Sequence, residues 1–208
     1  MVDDGWLDRL SIREAIENWV LWRDAGEWDR LAGLWADDAV MITTWSQSSA
    51  SEFIARSRRA WDAGLKVLHV LGGASVEIRG DRAVAQTKME IIQRAPVDGV
   101  LVDVHCLGRF FDLFERREGR WLIALRQPVY EMDRMTPVDP TAKLELDPQL
   151  LMAFPEGYRH LAYLQTKAGF NVTTSAPGTR GPGMEALLGM ASAWLRGDDL
   201  DRSLLIGA

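Results

Sequence analysis

The sequence predicts an α+β domain, helices first and then an antiparallel sheet, with a partly helical extension behind it. Three observations carry this. Apolar residues recur at helical spacing up to Ala63. From Leu68 to Tyr130 the pattern changes to β-branched and aromatic runs separated by short turns, which make an antiparallel meander. Beyond residue 135, prolines and a Gly/Pro/Ser/Thr stretch break the alternation. Helices followed by a meander place the helices on one face of the sheet.

The elements follow in order. Ser11-Ile12-Arg13-Glu14 has the capping-box pattern, in which the Ser side chain bonds the amide three residues on and the Glu reaches back. Ile12, Ala15, Ile16, Trp19, Val20 and Trp22 then form an apolar stripe, and Gly26 ends the helix. A second helix runs from Glu27 to Ala36, with Trp28, Leu31, Leu34 and Trp35 on one side. Val40 to Trp45 reads as a strand. Ser49 to Glu52 is a second capping box and opens a third helix that reaches Ala63 and stops at Gly64. Four strands follow: Leu68 to Arg79, Arg82 to Arg94, Val100 to Arg116 and Arg120 to Tyr130. The third is long enough to need a bend, which Gly108 permits.

Residues 1–135 therefore form the domain, and residues 136–208 the extension. Pro148 to Gly169 has helical stretches, Thr173 to Gly183 is a loop, and Met184 to Arg196 is a last helix. The extension has too few alternating positions for a core of its own.

Composition narrows the function. Of 208 residues 47% are hydrophobic and 26% charged, as in soluble globular domains. The net charge of −6 argues against a nucleic-acid surface, which needs a basic stripe. No stretch approaches the length of a membrane span, and Met1 to Leu10, with Asp3, Asp4 and Asp8, has neither the basic nor the apolar region of a signal peptide. Cys106 is the only cysteine, so no intrachain disulfide forms, which fits the cytoplasm.

The three histidines, His69, His105 and His160, show no close metal-ligand spacing, so no metal site is expected. Phosphate-binding glycine loops and nucleophile-elbow motifs are missing, so no nucleotide cofactor is expected either. Asp24 lies on the first helix within the apolar stripe. It is either an ordinary helix-end carboxylate or the buried partner of a cation. His69 opens a strand amid apolar neighbours, as a satisfied core histidine or as a base. Six of the nine tryptophans fall in the first 45 residues. They build a core, a pocket for an aromatic ligand, or both.

The stretch Arg23-Asp24-Ala-Gly-Glu-Trp-Asp-Arg-Leu-Ala-Gly-Leu-Trp-Ala-Asp37-Asp38-Ala39 resembles the opening of SnoaL-like (NTF2-like) proteins. Within them it is similar to the scytalone dehydratase and hexachlorocyclohexane dehydrochlorinase branch. Glu115 to Trp121 matches the last hairpin of that family. The resemblance covers roughly residues 8–135 and implies a cone-shaped α+β barrel around a pocket. It implies that Asp24 pairs with His69 as a general-base dyad, that Arg126 is a catalytic arginine, and that His105 is a second pocket histidine. The dehydrochlorinase lysine five residues before the Asp is replaced here by Trp19. Trp19, Trp22, Trp45 and Tyr130 are the expected substrate-binding walls. The apolar residues Leu150, Leu151, Met152, Phe154, Tyr158, Leu161 and Tyr163 are expected to cover the open end of the cone or a subunit contact.

An imidazole titrates near neutrality, and a carboxylate on one nitrogen fixes its tautomer and stabilises the imidazolium. The expected function is a cofactor-independent lyase, a dehydratase or a similar elimination, formaldehyde release included, on a small aromatic or alicyclic molecule. The alternatives are a ligand-binding or structural subunit of the same fold, or a ketosteroid-type isomerase. The expected association state is a homo-oligomer, dimer or trimer.

Overall fold

Helix α1 (Asp4–Ala25) ends where the chain needs a left-handed residue. Gly26 has φ +77°, and the Glu27 amide donates back to the Trp22 carbonyl at 2.8 Å. This computed structural model describes residues 4–200; Asp3 and the last eight residues of the extension lie outside it. The helix begins at Asp4, upstream of the capping box at Ser11. Tertiary contacts hold these added turns: Asp8 accepts from Trp121 Nε1 at 2.8 Å and from Arg116 Nη1 at 3.2 Å.

Helix α2 (Trp28–Ala32) is shorter than the sequence suggests, and Trp35 and Ala36 instead open strand β1 (Trp35–Ile42). Thr43 ends that strand before Trp45 by closing a turn: its Oγ1 accepts the Ser46 amide at 2.9 Å. Strand β2 (Gln47–Ser49) leads into α3 (Ala50–Asp62), whose N-terminus Ser49 caps by accepting the Glu52 amide at 3.2 Å. The long strands β3 (Lys66–Arg79), β4 (Arg82–Val97), β5 (Val100–Arg117) and β6 (Arg120–Pro137) form the meander. The sheet order is β2-β1-β6-β5-β4-β3, antiparallel except for β1 beside β6. That parallel pairing, Trp35 with Ile123 and Met41 with Arg126, is what draws Trp35 out of the helix. The fold is thus α+β, a curved six-stranded sheet with a helical C-terminal piece.

Two irregularities decide which side chains face inward. On β5 the inner set is Val102, Val104, Cys106, Phe110 and Phe114. Phe111 and Leu113 face the other way. Register between β5 and β6 slips at Gly108, where an added Cβ would collide with the Val129 carbonyl oxygen, so only glycine fits. A second slip leaves Ala124 as an extra residue between the pairs Phe114–Ile123 and Leu113–Leu125. One extra residue reverses the facing of every side chain beyond it. Trp121 and Ile123 point into the inner core, then Arg126, Pro128 and Tyr130 do, while Ala124 and Leu125 join the outer cluster. Strict alternation would put Arg126 on the face of Ala124; the bulge separates them.

The extension splits between the two faces. Helices α4 (Pro148–Met152) and α5 (Arg159–Lys167) lie on the inner side, where Tyr158, Leu161 and Tyr163 are buried and Leu150, Leu151 and Phe154 partly so; Met152 stays exposed. Helix α6 (Pro182–Arg196) packs Met184, Leu187, Ala191 and Trp194 on the outer face against Val84, Phe111, Leu113 and Leu125. Helices thus cover both faces, where the sequence pattern suggested one. No helix among the described residues is long and apolar enough to cross a membrane.

Asp133, fully buried on β6, fastens α5 to the sheet. Its carboxylate accepts the His160 and Leu161 amides at 2.7 and 2.8 Å and His160 Nδ1 at 2.8 Å. The free amides of a helix's first turn need such an acceptor, and here a strand supplies it. Asp133→Ala is expected to lower stability by about 1–3 kcal/mol in urea denaturation. Hydrogen exchange should show the loss of protection concentrated at residues 159–167; an even loss across the sheet would contradict this role.

Candidate active site

A carboxylate in the last turn of a helix sits at the negative end of the macrodipole and needs compensation. Asp24 occupies that position at the end of α1, and His69 on β3 supplies the compensation twice over. Its backbone N–H donates to Asp24 Oδ2 at 2.6 Å, and its Nδ1 lies 2.8 Å from Oδ1. Both interactions together fix the ring's rotamer and place the proton on Nδ1, which leaves Nε2 with a free lone pair. Trp19 packs its edge against the imidazole at 5.4 Å, and Phe110 lies beside it at 6.1 Å. Burial depresses the imidazole's pKa below its ordinary value; the Asp24 carboxylate opposes this, and the positive charges of Arg23 and Arg126 reinforce it. The lowered pKa favours the uncharged ring at pH 7.

His69 opens onto a cavity of about 50 Å³ inside the curved sheet. Its walls come from α1 (Trp19, Arg23), α3 (Phe53, Ser57), β4 (Gln93) and β6 (Tyr130). The extension contributes Leu161, Gln165 and Phe170. A polar chain crosses this wall. Thr44 Oγ1 donates to Gln165 Oε1 at 2.7 Å, and Gln165 Nε2 donates to Gln93 Oε1 at 3.4 Å. The Tyr130 phenol is hydrogen-bonded to Thr44, and burial pushes its pKa far above the ordinary value, so it stays protonated. The enclosed space is well below the ~150 Å³ of an engineered cavity that admits benzene. A ring-sized ligand therefore requires the half-exposed residues Trp45, Leu65, Val67 and Phe170 to separate.

The structure brings Asp24, His69, Trp19, Trp45 and Tyr130 together at this cavity. It does not place three other predicted residues there. His105 lies on the opposite face of β5, bonded through Nδ1 to Glu90 at 2.6 Å, because the apolar Val104 and Cys106 set takes the inner face. Trp22 is turned to the side of α1, 5.7 Å beneath the Arg30 guanidinium. Arg126 points inward but sits one layer behind the walls. Asp112 grips its guanidinium through two bonds of 2.7 and 2.8 Å, and the rings of Trp19 and Phe110 lie 4.4 and 4.1 Å from it. Both members of that pair are fully buried. Arg126 thus acts on the site through its charge and by holding two wall rings.

Arg23 is the wall residue that the sequence reading passed over. It lies seven residues after Ile16 and four after Trp19, on the stripe position assigned to Trp22, so an arginine interrupting an apolar stripe was the available signal. Among the described residues His, Cys, Asp and Glu side chains nowhere gather in threes able to hold a metal ion.

Comparison with known proteins agrees with this architecture. Residues 5–127 match the SnoaL-like domain family. Pea pathogenicity protein 2 of Fusarium vanettenii is 36% identical over 206 residues, covering 94% of this chain and 88% of that protein. A scytalone dehydratase-like protein of Aspergillus aculeatus is 28% identical over 148 residues, covering 62% of this chain and 84% of its own length. The crystal structure of a hexachlorocyclohexane dehydrochlorinase aligns with TM-score 0.52 at 17% identity, over 70% of this chain and 96% of that one. With a curved antiparallel sheet, an inner cavity and a family match over more than half its length, the chain belongs to the SnoaL-like family.

Proposed function

We propose that this protein is a lyase that eliminates a small leaving group, water being the simplest, from an aromatic or alicyclic substrate held in the inner cavity. One observation carries the reading: the 2.8 Å Asp24–His69 contact on the wall of an apolar, largely enclosed pocket. The names of two relatives, a scytalone dehydratase-like protein and a dehydrochlorinase, support the same class of reaction.

The chemistry follows from the geometry. His69 Nε2 takes a proton from the carbon next to the one bearing the leaving group. The C–H electron pair becomes the new π bond as the C–O bond breaks with its electrons on oxygen. The imidazolium, stabilised by Asp24, then holds the proton that lets the departing hydroxide leave as water. Trp19, Phe53 and Phe110 keep water out, which strengthens every charge interaction at the base.

The test is to incubate the protein with β-hydroxy ketones bearing one aromatic or alicyclic ring and to follow the absorbance of a conjugated enone. His69→Asn and Asp24→Asn are each expected to lower kcat by about 10²–10⁴-fold while the near-ultraviolet circular dichroism stays native. Turnover that survives both substitutions would remove the dyad from the mechanism.

The pH dependence has a defined sign. Because burial lowers the His69 pKa, the ring remains a competent base to the acid side of the unperturbed value. The acid limb of kcat/KM should therefore have its midpoint below about 6.5. The folded chain also binds fewer protons than the unfolded chain below that pH, so stability should fall as pH drops from about 6.5 toward the folded pKa. An acid limb centred above 6.5 would contradict the assignment.

A further inference from the structure

Arg23 is a buried cation whose ion pair, with Asp24, is a loose one. It is 6% exposed and lines the cavity. Among the described residues it donates no hydrogen bond, and its carboxylate neighbour, Asp24 Oδ1, is 3.7 Å from Nη1. Both Asp24 oxygens are already engaged by His69. Arg126 shows the contrast, since Asp112 answers it with a planar two-bond contact. A guanidinium that lines a cavity without a hydrogen bond of its own gains from a ligand that supplies the acceptor.

Two further wall residues carry buried polar atoms. Trp19 Nε1 and Ser57 Oγ are buried and have no hydrogen-bond partner. Ser57 Oγ can donate or accept, so the charge of Arg23 is what sets the preference for a ligand that brings an anionic acceptor. The rest of the wall, including Phe53, Phe110, Trp45 and Phe170, is aromatic.

We propose that the substrate of this cavity is a ring compound carrying a carboxylate, and that Arg23 is the counter-ion that recognises it. This rests on the cavity being the substrate site, but not on the elimination chemistry. A planar guanidinium suits a carboxylate, which can accept from it through both oxygens. The same charge disfavours cationic ring compounds.

Benzoate and benzamide test the idea, because they share a ring and a planar head and differ in charge. Each is titrated into the protein at pH 7 while tryptophan fluorescence is followed, since Trp19 and Trp45 lie on the cavity wall. Benzoate is expected to bind on the order of tenfold more tightly than benzamide. Arg23→Lys should keep the preference, and Arg23→Gln should abolish it. His69→Asn should retain the preference although it loses turnover, which separates this inference from the lyase reading. A wild-type protein that does not bind benzoate saturably, or binds it no better than benzamide, overturns the proposal. A preference that persists in Arg23→Gln does the same.

Discussion

Asp24 is shared between two nitrogens of a single residue, the backbone N–H and the imidazole Nδ1 of His69. This double contact fastens the end of α1 to the start of β3 and sets the ring angle and tautomer at once. A charged acceptor strengthens both bonds, and their shielding from water makes loss of either partner expensive. The Gly26 turn places Asp24 in the last helical turn, and the cavity forms around what that carboxylate holds. The aromatic walls and the inner part of the extension enclose the cavity that His69 faces.

A second buried pair supports the first from behind. Arg126 and Asp112 are inaccessible to water and hold each other in a two-bond geometry, with Trp19 and Phe110 over the guanidinium. Truncating one partner of such a pair leaves an uncompensated charge, typically at a cost of about 3–5 kcal/mol. Arg126 therefore reads as a structural cation whose positive charge helps to keep His69 neutral, while Arg23 stands at the cavity itself.

Much of this was legible in the sequence. Hydrophobic period and turn residues located the meander, the third helix with its Ser49 cap, and the last helix. The Asp24 and His69 positions followed from the family pattern. What escaped depended on register. His105 and Arg126 sit on strands where alternation alone gives two possible faces; a single extra residue at Ala124 decides for Arg126, and the buried Val104 and Cys106 decide for His105. Trp35 has the spacing of a helix, yet parallel pairing with Ile123 makes it a strand residue. Upstream of Ser11 the helix continues because Asp8 finds Trp121 and Arg116, partners more than a hundred residues away. Such long-range contacts leave no local mark on composition or periodicity.

The account stands on the protonation state of one ring. With His69 labelled by ¹⁵N, imidazole chemical shifts at pH 7 distinguish the two neutral tautomers from the imidazolium. A proton on Nδ1 and a bare Nε2, changing to the other tautomer or to a mixture in Asp24→Asn, is the predicted result. A proton on Nε2, or a fully charged ring at pH 7, would leave no lone pair facing the cavity and would contradict the assignment of His69 as the base.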